Sequence, residues 1–566
     1  MRILLLATSF NGLTQRVHVE LAERGHEISV EIYVNDAAAA DAVRLFRPDL
    51  VIAPFLRRAI AEPIWRNVRC LIVHPGPVGD RGPAALDWAI LDGPRNWGTT
   101  LIEASADFDA GDIWASRDFA MRPGTKSSLY RDEVTETAVA CIIEAIGKIE
   151  SGVGHGRPLA AAAPEGAQWR PALKLDERRV DWQAETTASI LRKLRAASGQ
   201  PGIPDTVRGI SGRLHEPCEE DALRGKPGEV IARRHGAICR ATVDGAVWIG
   251  GITPDPETGR RRFKIPAALA LAGRLDDVPE LPVADSAALS MKTFREIAYQ
   301  EANGVAWLSF DFLNGAMSVD QCRRLLATYR HAAASTANVI VLAGGREFWS
   351  NGMHLGVIEA AASPADASLA NINAIDDLAG AILRTTDKLV IAALEGNAGA
   401  GGVFLALAAD QILSRDGVVL NPHYKNMGNL YGSEYWTYVL PRRVGPQRVE
   451  AVMGSRLPVG AAAARRLGLV DHVLPNARGA YRAAVRDYAE RLAADPALHR
   501  LIAEKRLRRA DDEAKKPLDD YRNEELERMR LAFYGFDASY HVARWRFITH
   551  EPIARTPLHL ARHRSV

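Results

Sequence analysis

A histidine and an aspartate in the first fifth of the chain have the types needed for acid–base chemistry. His74 ends the apolar run CLIVH and opens a Pro-Gly turn, and Asp109 lies in the later segment DFDAGDI. A carboxylate beside an imidazole fixes its tautomer and raises its basicity, which suits proton transfer to a substrate. We predict that His74 is an acid–base residue and that Asp109 is its partner. On this pair alone, a purely structural hydrogen bond remains an alternative.

Two further segments could carry chemistry in the second half of the chain. The run GNAGAGG (396–402) separates an apolar strand from an apolar helix, and glycine there lets backbone N–H groups approach a ligand closely. Tight helix–strand packing would use the same glycines. Further on, Glu434 lies in YGSEYWTY, and burial among aromatic rings would raise the pKa of its carboxyl. We interpret Tyr431, Tyr435, Trp436 and Tyr438 as packing residues.

The elements around these segments indicate an α/β protein. RILLLAT, HEISVEIYV, DLVIAPF and CLIVH are apolar strands separated by helical segments, which predicts a doubly wound parallel sheet. Ligands of such sheets bind beyond the carboxyl ends of the strands, so the loops at 9–15 and 74–81 are candidate site loops. No GxGxxG follows the first strand, so a dinucleotide fold is not predicted.

Later segments predict two more folding regions and a helical end. Residues 229–252 alternate apolar and polar positions with glycine at the turns, as a small β-barrel or meander does. From residue 297 strands again alternate with helices, while 476–566 is charged, rich in arginine and helical in period. Linkers rich in glycine, alanine or proline occur near 151–166 and 276–286.

Composition limits the class of protein. Of 566 residues, 47% are hydrophobic and 25% are charged, as in globular proteins, and 71 basic residues nearly balance 69 acidic ones. We therefore expect no nucleic-acid partner, and no membrane partner because no uncharged apolar run is long enough to span a bilayer. The five cysteines have no CxxC spacing, so we expect no metal site and a reducing, cytoplasmic location.

The first 270 residues resemble the folate-dependent formyltransferases. The resemblance lies in HPGPVGDRGPAALDWAILDG, in WGTTLIEASADFDAGDI and in LKLDERRVDWQAETTASILRKLRAASGQPG. It implies binding of 10-formyltetrahydrofolate, with His74 and Asp109 in the catalytic positions. Loop position and resemblance add Ser9, Gln15 and Arg131 as binding residues. The family usually has an asparagine where this chain has Ile72, and losing such an oxyanion donor typically costs about 10²–10³ in rate.

Residues 295–475 resemble the crotonase (enoyl-CoA hydratase/isomerase) superfamily. The segments GREFWSNGMHL and GNAGAGG match its two motifs, with one extra residue between Phe348 and Gly352. The resemblance implies an oxyanion hole for a coenzyme A thioester, formed by backbone N–H groups near Asn351 and at Gly401, with Asn314 lining the same site. The two glutamates of the hydratases are replaced by Phe404 and by the Pro422-His423 pair, so hydration is not expected.

These resemblances imply four domains in the order of the chain. They are a folate-binding formyltransferase-like domain (1–165), a small β-barrel-like domain similar to the formyltransferase C-terminal domain (166–275), a crotonase-like coenzyme A domain (285–475) and a C-terminal helical region (476–566). Over its whole length the chain resembles a family of NiFe-hydrogenase maturation factors. That likeness implies formyl transfer from folate to coenzyme A, decarbonylation of formyl-CoA to carbon monoxide, and hydrogenase maturation proteins as partners.

Decarbonylation assigns further roles near residue 430. Formyl-CoA must lose its C–H proton while its sulfur leaves, which requires a base and favours a donor near sulfur. We predict Glu434 as the base, Tyr424 as the donor or orienting group, and His423 as a third catalytic residue. Two alternatives stay open: a formyltransferase or deformylase with another acceptor and a degenerate coenzyme A domain, and a non-catalytic scaffold that binds coenzyme A.

Overall fold

A computed structural model describes residues 1–162, 169–256, 262–283 and 289–564. The chain forms two compact units. The first comprises Met1–Leu281, Lys292–Phe294 and Pro552–Val566, and the second comprises Pro282–Met291 and Arg295–Glu551. The regions predicted as separate formyltransferase-like domains, 1–165 and 166–275, therefore belong to one unit, which contains one sheet from each.

The first sheet of unit 1 is parallel where the apolar strands predict it. Its order is β2-β1-β3-β4-β5-β6, and the four strands from β2 to β4 run parallel. The four strands predicted from the sequence are thus parallel, and β5 and β6 extend this sheet as antiparallel strands beside β4. The strands are β1 (Arg2–Ala7), β2 (Glu27–Ile32), β3 (Leu50–Ala53), β4 (Cys70–His74), β5 (Asn96–Glu103) and β6 (Ile113–Ala120).

The second sheet of unit 1 is antiparallel and open. Its order is β7-β8-β11-β10-β9 with β12 beside β11, and the described strands do not close into the barrel that the alternation suggested. Its inner face buries residues such as Ile238, Val247 and Ile249 under a helix over Thr187–Ala197. The strands are β7 (Ile203–Val207), β8 (Ile210–Glu220), β9 (Val230–Arg234), β10 (Ala237–Ala241), β11 (Ala246–Pro254) and β12 (Ile265–Pro266).

Helices flank both sheets of unit 1. One face of the first sheet buries Leu4 and Leu6 against Phe46 of the second helix. A π-helical turn, Tyr130–Val134, joins α5 to α6. The α-helices are α1 (Gly12–Glu23), α2 (Asp36–Phe46), α3 (Glu62–Trp65), α4 (Ala85–Asp92), α5 (Lys126–Leu129), α6 (Thr135–Glu150), α7 (Leu159–Ala162), α8 (Thr187–Ala197) and α9 (Ala267–Ala270).

Unit 2 contains a six-stranded sheet, β13-β14-β16-β19-β21-β24, which is parallel except for the β13–β14 pair. Two small sheets, β15-β18 and β17-β20-β22-β23, hold the two crotonase-like motifs. The strands are β13 (Ile297–Ala302), β14 (Val305–Phe310), β15 (Ala316–Met317), β16 (Val339–Ala343), β17 (Phe348–Ser350), β18 (Gly352–Met353), β19 (Leu389–Leu394), β20 (Asn397–Gly399), β21 (Gln411–Arg415), β22 (Val419–Asn421), β23 (Val459–Gly460) and β24 (His472–Leu474).

The helices of unit 2 surround these sheets. Within the described parts of the chain, none is both long and apolar enough to cross a membrane. They are α10 (Val319–Ala334), α11 (Leu355–Ala360), α12 (Pro364–Arg384), α13 (Gly401–Leu407), α14 (Trp436–Val444), α15 (Val449–Gly454), α16 (Ala461–Leu467), α17 (Arg478–Ala494), α18 (Leu498–Lys515), α19 (Leu518–Tyr534) and α20 (Ser539–Ile548).

The C-terminal segment differs from the helical region predicted over 476–566. The α-helices end at Ile548, and residues from Pro552 onward belong to unit 1. There the Val30 N–H donates to Leu560 O at 3.0 Å and the Ile32 N–H donates to Thr556 Oγ1 at 2.8 Å. Proline cannot continue a helix, and the segment satisfies the free edge of β2 instead.

Candidate active sites

His74 is the last residue of β4, at the carboxyl end of the parallel strands. Its side chain is 4% exposed. The turn that follows folds back over the imidazole: a Cβ at Gly76 would lie 2.5 Å from His74 Nε2, and Thr100 Oγ1 donates to Gly76 O at 2.8 Å. Glycine at position 76 is therefore what allows this turn to enclose the histidine.

The structure brings the predicted pair together and adds a second carboxylate. His74 Nδ1 lies 3.6 Å from Asp109 Oδ1, and His74 Nε2 lies 3.0 Å from Asp80 Oδ2. Asp109 is held in the left-handed region at φ 51°, and its Oδ2 accepts the Gly82 N–H at 3.0 Å. An imidazole between two carboxylates is fixed in orientation, and a positive charge that develops on it during proton transfer is stabilised.

Asp80 is a site residue that the sequence analysis did not single out, although it lies within the 74–81 loop. Arg170 joins it to a second acid: Arg170 Nε donates to Asp80 Oδ1 at 2.9 Å and its Nη1 donates to Asp92 Oδ2 at 2.7 Å. In the sequence, the position of Asp80 within the 74–81 loop was the feature that indicated a role for it. Nothing in the sequence indicated Arg170, because its contact with Asp80 depends on the tertiary fold.

The predicted binding residues lie in three settings: Ser9 in the turn before α1, Gln15 in the first turn of α1, which begins at Gly12 inside the predicted 9–15 loop, and Arg131 in the π-helical turn. Gln15 Nε2 donates to Phe10 O at 2.9 Å, and Ser9 O accepts the Thr14 hydroxyl at 3.3 Å in the turn that begins α1. Arg131 lies in the π-helical turn. Their contacts with folate or coenzyme A remain predictions.

Ile72 occupies the position where the formyltransferases have asparagine. It lies in β4 opposite Ile102 and packs against the apolar cluster that contains Leu4 and Leu6. Its side chain has no hydrogen-bond donor. Any donor to a formyl oxygen at this site must therefore come from another group.

In unit 2 the two glycine-bearing motifs pack directly against each other. β17 pairs with β20, and Trp349 Nε1 donates to Gly402 O at 3.0 Å. A Cβ at Gly402 would collide with the backbone oxygen of Ser350. Ala400, just before α13, has φ 48° and ψ −127°, a conformation uncommon for a residue with a Cβ and typical of strained functional turns.

The hydrogen bonds of the first motif narrow down which backbone N–H near Asn351 could serve as a donor. The Asn351 N–H donates to Gly315 O at 2.7 Å, and its side-chain amide donates to Asn314 O at 2.7 Å. The Gly352 N–H donates to Ser350 Oγ at 3.1 Å. β18 pairs in parallel with β15, and the His354 N–H donates to Met317 O at 3.1 Å, so the N–H of Met353 points to the opposite side of β18.

Met353 is therefore the better candidate for the first donor. A Cβ at Gly352 would lie only 3.5 Å from Gly401 N, so the segment beside Met353 lies against the start of α13. The first N–H groups of a helix have no partner four residues earlier, so the Gly401 N–H is directed outward. Asn351 and Asn314 are adjacent, as predicted, but the hydrogen bond between them stabilises the loop.

Glu434, Tyr424 and Gly401 come together as predicted. Tyr424 Oη donates to Glu434 Oε2 at 2.5 Å, and the Glu434 carboxylate lies so close to Gly401 that a Cβ there would overlap Oε1. Phe404, which replaces the hydratase glutamate, stacks on Tyr424 with ring centroids 5.2 Å apart. His423 precedes Tyr424 in the sequence and is also buried. Its backbone N–H donates to Asn421 O at 2.8 Å, and its catalytic role remains a prediction.

Burial makes Glu434 hard to ionise. Its side chain is 1% exposed, and desolvation, followed by the charges of Asp376 and Glu525, raises the pKa of its carboxyl to about 8. Burial and the adjacent Glu434 likewise raise the pKa of Tyr424 well above 10. At neutral pH the pair therefore holds its protons, and Glu434 is a strong base once ionised.

Comparison with known proteins agrees with both halves of this description. The enoyl-CoA hydratase/isomerase family profile matches residues 303–529, and the formyl transferase C-terminal domain profile matches residues 172–260. The chain is 51% identical to the hydrogenase maturation factor HoxX of Bradyrhizobium diazoefficiens, over 100% of this chain and 97% of that protein. The chain belongs to the HypX/HoxX family of hydrogenase maturation factors.

Solved structures of this family have the same fold. The crystal structure of HypX from Aquifex aeolicus in complex with tetrahydrofolic acid matches with a TM-score of 0.96 and 46% identity, over 100% of this chain and 99% of that one. A methionyl-tRNA formyltransferase of Nitrosospira multiformis is 29% identical over 28% of this chain and 50% of its own length. The HypX/HoxX chain thus combines formyltransferase-like and crotonase-like parts.

Proposed function

We propose that this HypX/HoxX chain makes carbon monoxide in two steps, formyl transfer from 10-formyltetrahydrofolate to coenzyme A and decarbonylation of formyl-CoA. The observation that carries the proposal is the Tyr424–Glu434 pair, buried against Gly401 in a crotonase-like fold whose hydration glutamate is Phe404. Folate binding is supported by the tetrahydrofolate complex of Aquifex aeolicus HypX and by the His74 site.

In the first step, His74 accepts the proton of the coenzyme A thiol as sulfur attacks the formyl carbon. It then returns that proton to N10 of folate as the C–N bond breaks, so no proton is gained or lost overall. Asp109 and Asp80, at 3.6 and 3.0 Å from the two ring nitrogens, stabilise the intermediate imidazolium. Ser9, Gln15 and Arg131 are proposed to bind the substrates.

In the second step, Glu434 removes the formyl C–H proton. The C–H electron pair becomes the carbon lone pair of carbon monoxide, and the C–S bond breaks with its electrons on sulfur. Tyr424 protonates the sulfur and regains a proton from Glu434 through their 2.5 Å hydrogen bond. The step thus yields CO and the free thiol of coenzyme A, with both side chains back in their initial states. The Gly401 and Met353 N–H groups are proposed to hold the formyl oxygen.

The cellular setting of this chemistry is also a proposal. Membership of the hydrogenase maturation family supports delivery of carbon monoxide to other hydrogenase maturation proteins in the cytoplasm. The four predicted domains, 1–165, 166–275, 285–475 and 476–566, would then divide the work between a folate part and a coenzyme A part, except that the tail from Pro552 belongs to unit 1 with the folate part.

Headspace carbon monoxide is the direct test. Purified protein is incubated with 10-formyltetrahydrofolate and coenzyme A, with each substrate omitted in turn, and CO is measured together with tetrahydrofolate. We expect CO only when both substrates are present, in equal amount to the tetrahydrofolate formed. Release of formate without CO would indicate a deformylase, and no loss of formyl-folate would indicate a non-catalytic scaffold; either result contradicts the proposal.

A further inference from the structure

The turn that carries Glu434 is held in an unfavourable backbone conformation. Glu434 and Tyr435 are consecutive non-glycine residues with φ of 61° and 59°. This left-handed region is uncommon for residues with a Cβ, and two in succession require support from the surroundings. The turn presents the Glu434 side chain to Gly401.

The support comes from two carboxylates on two different helices. Asp376 of α12 accepts the Glu434 N–H at 2.8 Å and the Ser433 hydroxyl at 2.8 Å. Glu525 of α19 accepts the Tyr435 N–H at 3.0 Å, the Thr437 N–H at 2.8 Å and the Thr437 hydroxyl at 2.6 Å. Ser433 Oγ also lies 3.2 Å from Glu525 Oε2, so it bridges the two acids. Three backbone N–H groups of one turn are thus bound by side-chain carboxylates.

These acids are buried with little cationic compensation. Asp376 and Glu525 have no exposed surface. Arg522 Nε lies 3.8 Å from Asp376 Oδ2, while Arg522 Nη2 pairs with Asp377 at 2.8 Å. Other titratable groups that act on Glu434, or on which Glu434 acts, are Tyr424 and the thiol of Cys322. Three buried carboxyl groups that face one guanidinium cannot all be ionised.

The three carboxyl groups differ in the hydrogen-bond donors they receive. Asp376 and Glu525 receive N–H and O–H donors on both of their oxygens, as an ionised carboxylate requires. Glu434 receives the Tyr424 hydroxyl at 2.5 Å and the Ser433 N–H at 3.3 Å, both on Oε2. These hydrogen bonds favour the ionised forms of Asp376 and Glu525 more than that of Glu434, against the burial that raises the pKa of Asp376 to about 7.

We propose that Asp376 and Glu525 are positioning residues of the crotonase-like site, which hold Glu434 against Gly401 and whose negative charge opposes its ionisation. The proposal rests on the proposed function, in which Glu434 is the base for decarbonylation. Burial of Glu525 raises the pKa of its own carboxyl to about 8, and the cluster titrates as a unit. A carboxyl group surrounded by like charge is ionised in only a small fraction of molecules at neutral pH, but its ionised form is a strong base.

An infrared titration of Glu434 tests this without relying on turnover. The carbonyl band of its protonated carboxyl is isolated as the difference between the wild type and Glu434→Gln and is followed against pH. We expect this band to persist above pH 7 in the wild type. In Asp376→Asn and Glu525→Gln, which keep shape but remove one charge, the band should disappear at a pH lower by about one unit.

Exposed residues on the same helices provide matched controls. Asp366→Asn on α12 and Glu524→Gln on α19 make the same chemical changes at positions where Asp366 accepts the Tyr534 hydroxyl and Glu524 pairs with Lys516, and we expect them to leave the Glu434 titration in place. The pH profile of CO release from supplied formyl-CoA should move with the infrared titration in Asp376→Asn and Glu525→Gln and stay in place in the controls.

The outcomes separate this proposal from the proposed function. Ionisation of wild-type Glu434 near its ordinary pKa of about 4 would overturn the positioning role, even if the substituted proteins did not fold. An unmoved titration in folded Asp376→Asn and Glu525→Gln, or an equal shift in the controls, would also overturn it. Absence of CO from formyl-CoA despite the expected titration would instead count against decarbonylation and leave the electrostatic role standing.

Discussion

The two candidate sites surround their proposed base with side chains of contrasting charge relationships. In unit 1, His74 lies between Asp80 and Asp109, whose charge is opposite to that of an imidazolium, and Arg170 links Asp80 to Asp92. In unit 2, Glu434 lies beside Asp376 and Glu525, whose charge has the same sign as its own carboxylate. The first site surrounds its base with charge opposite to that of an imidazolium, whereas in the second site burial and like charge raise the pKa of Glu434.

This difference matches the chemistry proposed for each site. A thiol attacking a formyl group needs a base that accepts a proton and soon returns it, which an imidazole stabilised by carboxylates can do. A formyl C–H bond is a much weaker acid than a thiol, so its removal calls for a base of raised proton affinity in a dry setting. Variants that alter one environment should therefore affect one step and leave the other.

The largest effect is expected from Gly401→Val. The added side chain would overlap the Glu434 carboxylate and displace it from the start of α13. We expect complete loss of CO release from formyl-CoA, with normal consumption of formyl-folate. Gly479→Val is the matched control, because a Cβ at Gly479 meets nothing within 4 Å. Undiminished CO production by Gly401→Val would rule out this placement of the second site.

His74→Ala should impair the first step and leave the second step unchanged. Removal of the imidazole leaves no group between Asp80 and Asp109 to carry the thiol proton, and folate-dependent formyl transfer should fall by about 10²–10⁴. Coenzyme A binding and CO release from supplied formyl-CoA should be unchanged. The exposed His155→Ala provides the control. Normal turnover of formyl-folate by His74→Ala would show that another residue is the base.

Apolar periodicity and motif order were enough to predict much of this architecture. The parallel strands β1 to β4, the meander over β9 to β11 and the return to α/β structure after residue 297 all follow from runs and alternation of apolar residues. The antiparallel edge of the first sheet, the open form of the second and the tail from Pro552 depend on which strand edges the tertiary fold leaves free, and local patterns do not carry that information.

The candidate sites also contain some residues that the sequence could predict and others that depend on the tertiary fold. His74 with Asp109, and Tyr424 with Glu434, were predictable because each lies in a short segment of recognisable type. The exact donor near Asn351 could not be predicted, since the structure favours Met353 only because the Asn351 N–H is already bound to Gly315 O. Asp376, Glu525 and Arg170 reach their sites from distant elements, so nothing in their own neighbourhoods distinguishes them from ordinary surface charges.

Glu434→Gln sharpens the comparison at the second site. Glutamine keeps the shape of the side chain but cannot accept the formyl proton, so CO release should fall by about 10²–10⁴ while formyl-CoA accumulates. In the wild type, the raised pKa of Glu434 means that its base form grows as pH rises toward 8, so the decarbonylation rate should rise over this range. Stopped-flow CO detection and mass spectrometry of formyl-CoA measure both. Unchanged CO release would assign the proton transfer to another group.

Asp80→Asn should have the smallest effect, because it alters the support of His74 and leaves the histidine in place. Asparagine can still accept a hydrogen bond from Arg170, but the charge 3.0 Å from His74 Nε2 is lost. One hydrogen bond to a charged group is worth about 1.5–3 kcal/mol, so kcat for formyl transfer should fall about ten- to a hundredfold with KM for formyl-folate unchanged. Asp92→Asn removes the other partner of Arg170, at a half-exposed position away from the imidazole, and should leave kcat near the wild-type value. Equal losses in both variants would mean that Arg170, and not the charge beside His74, is what the site requires.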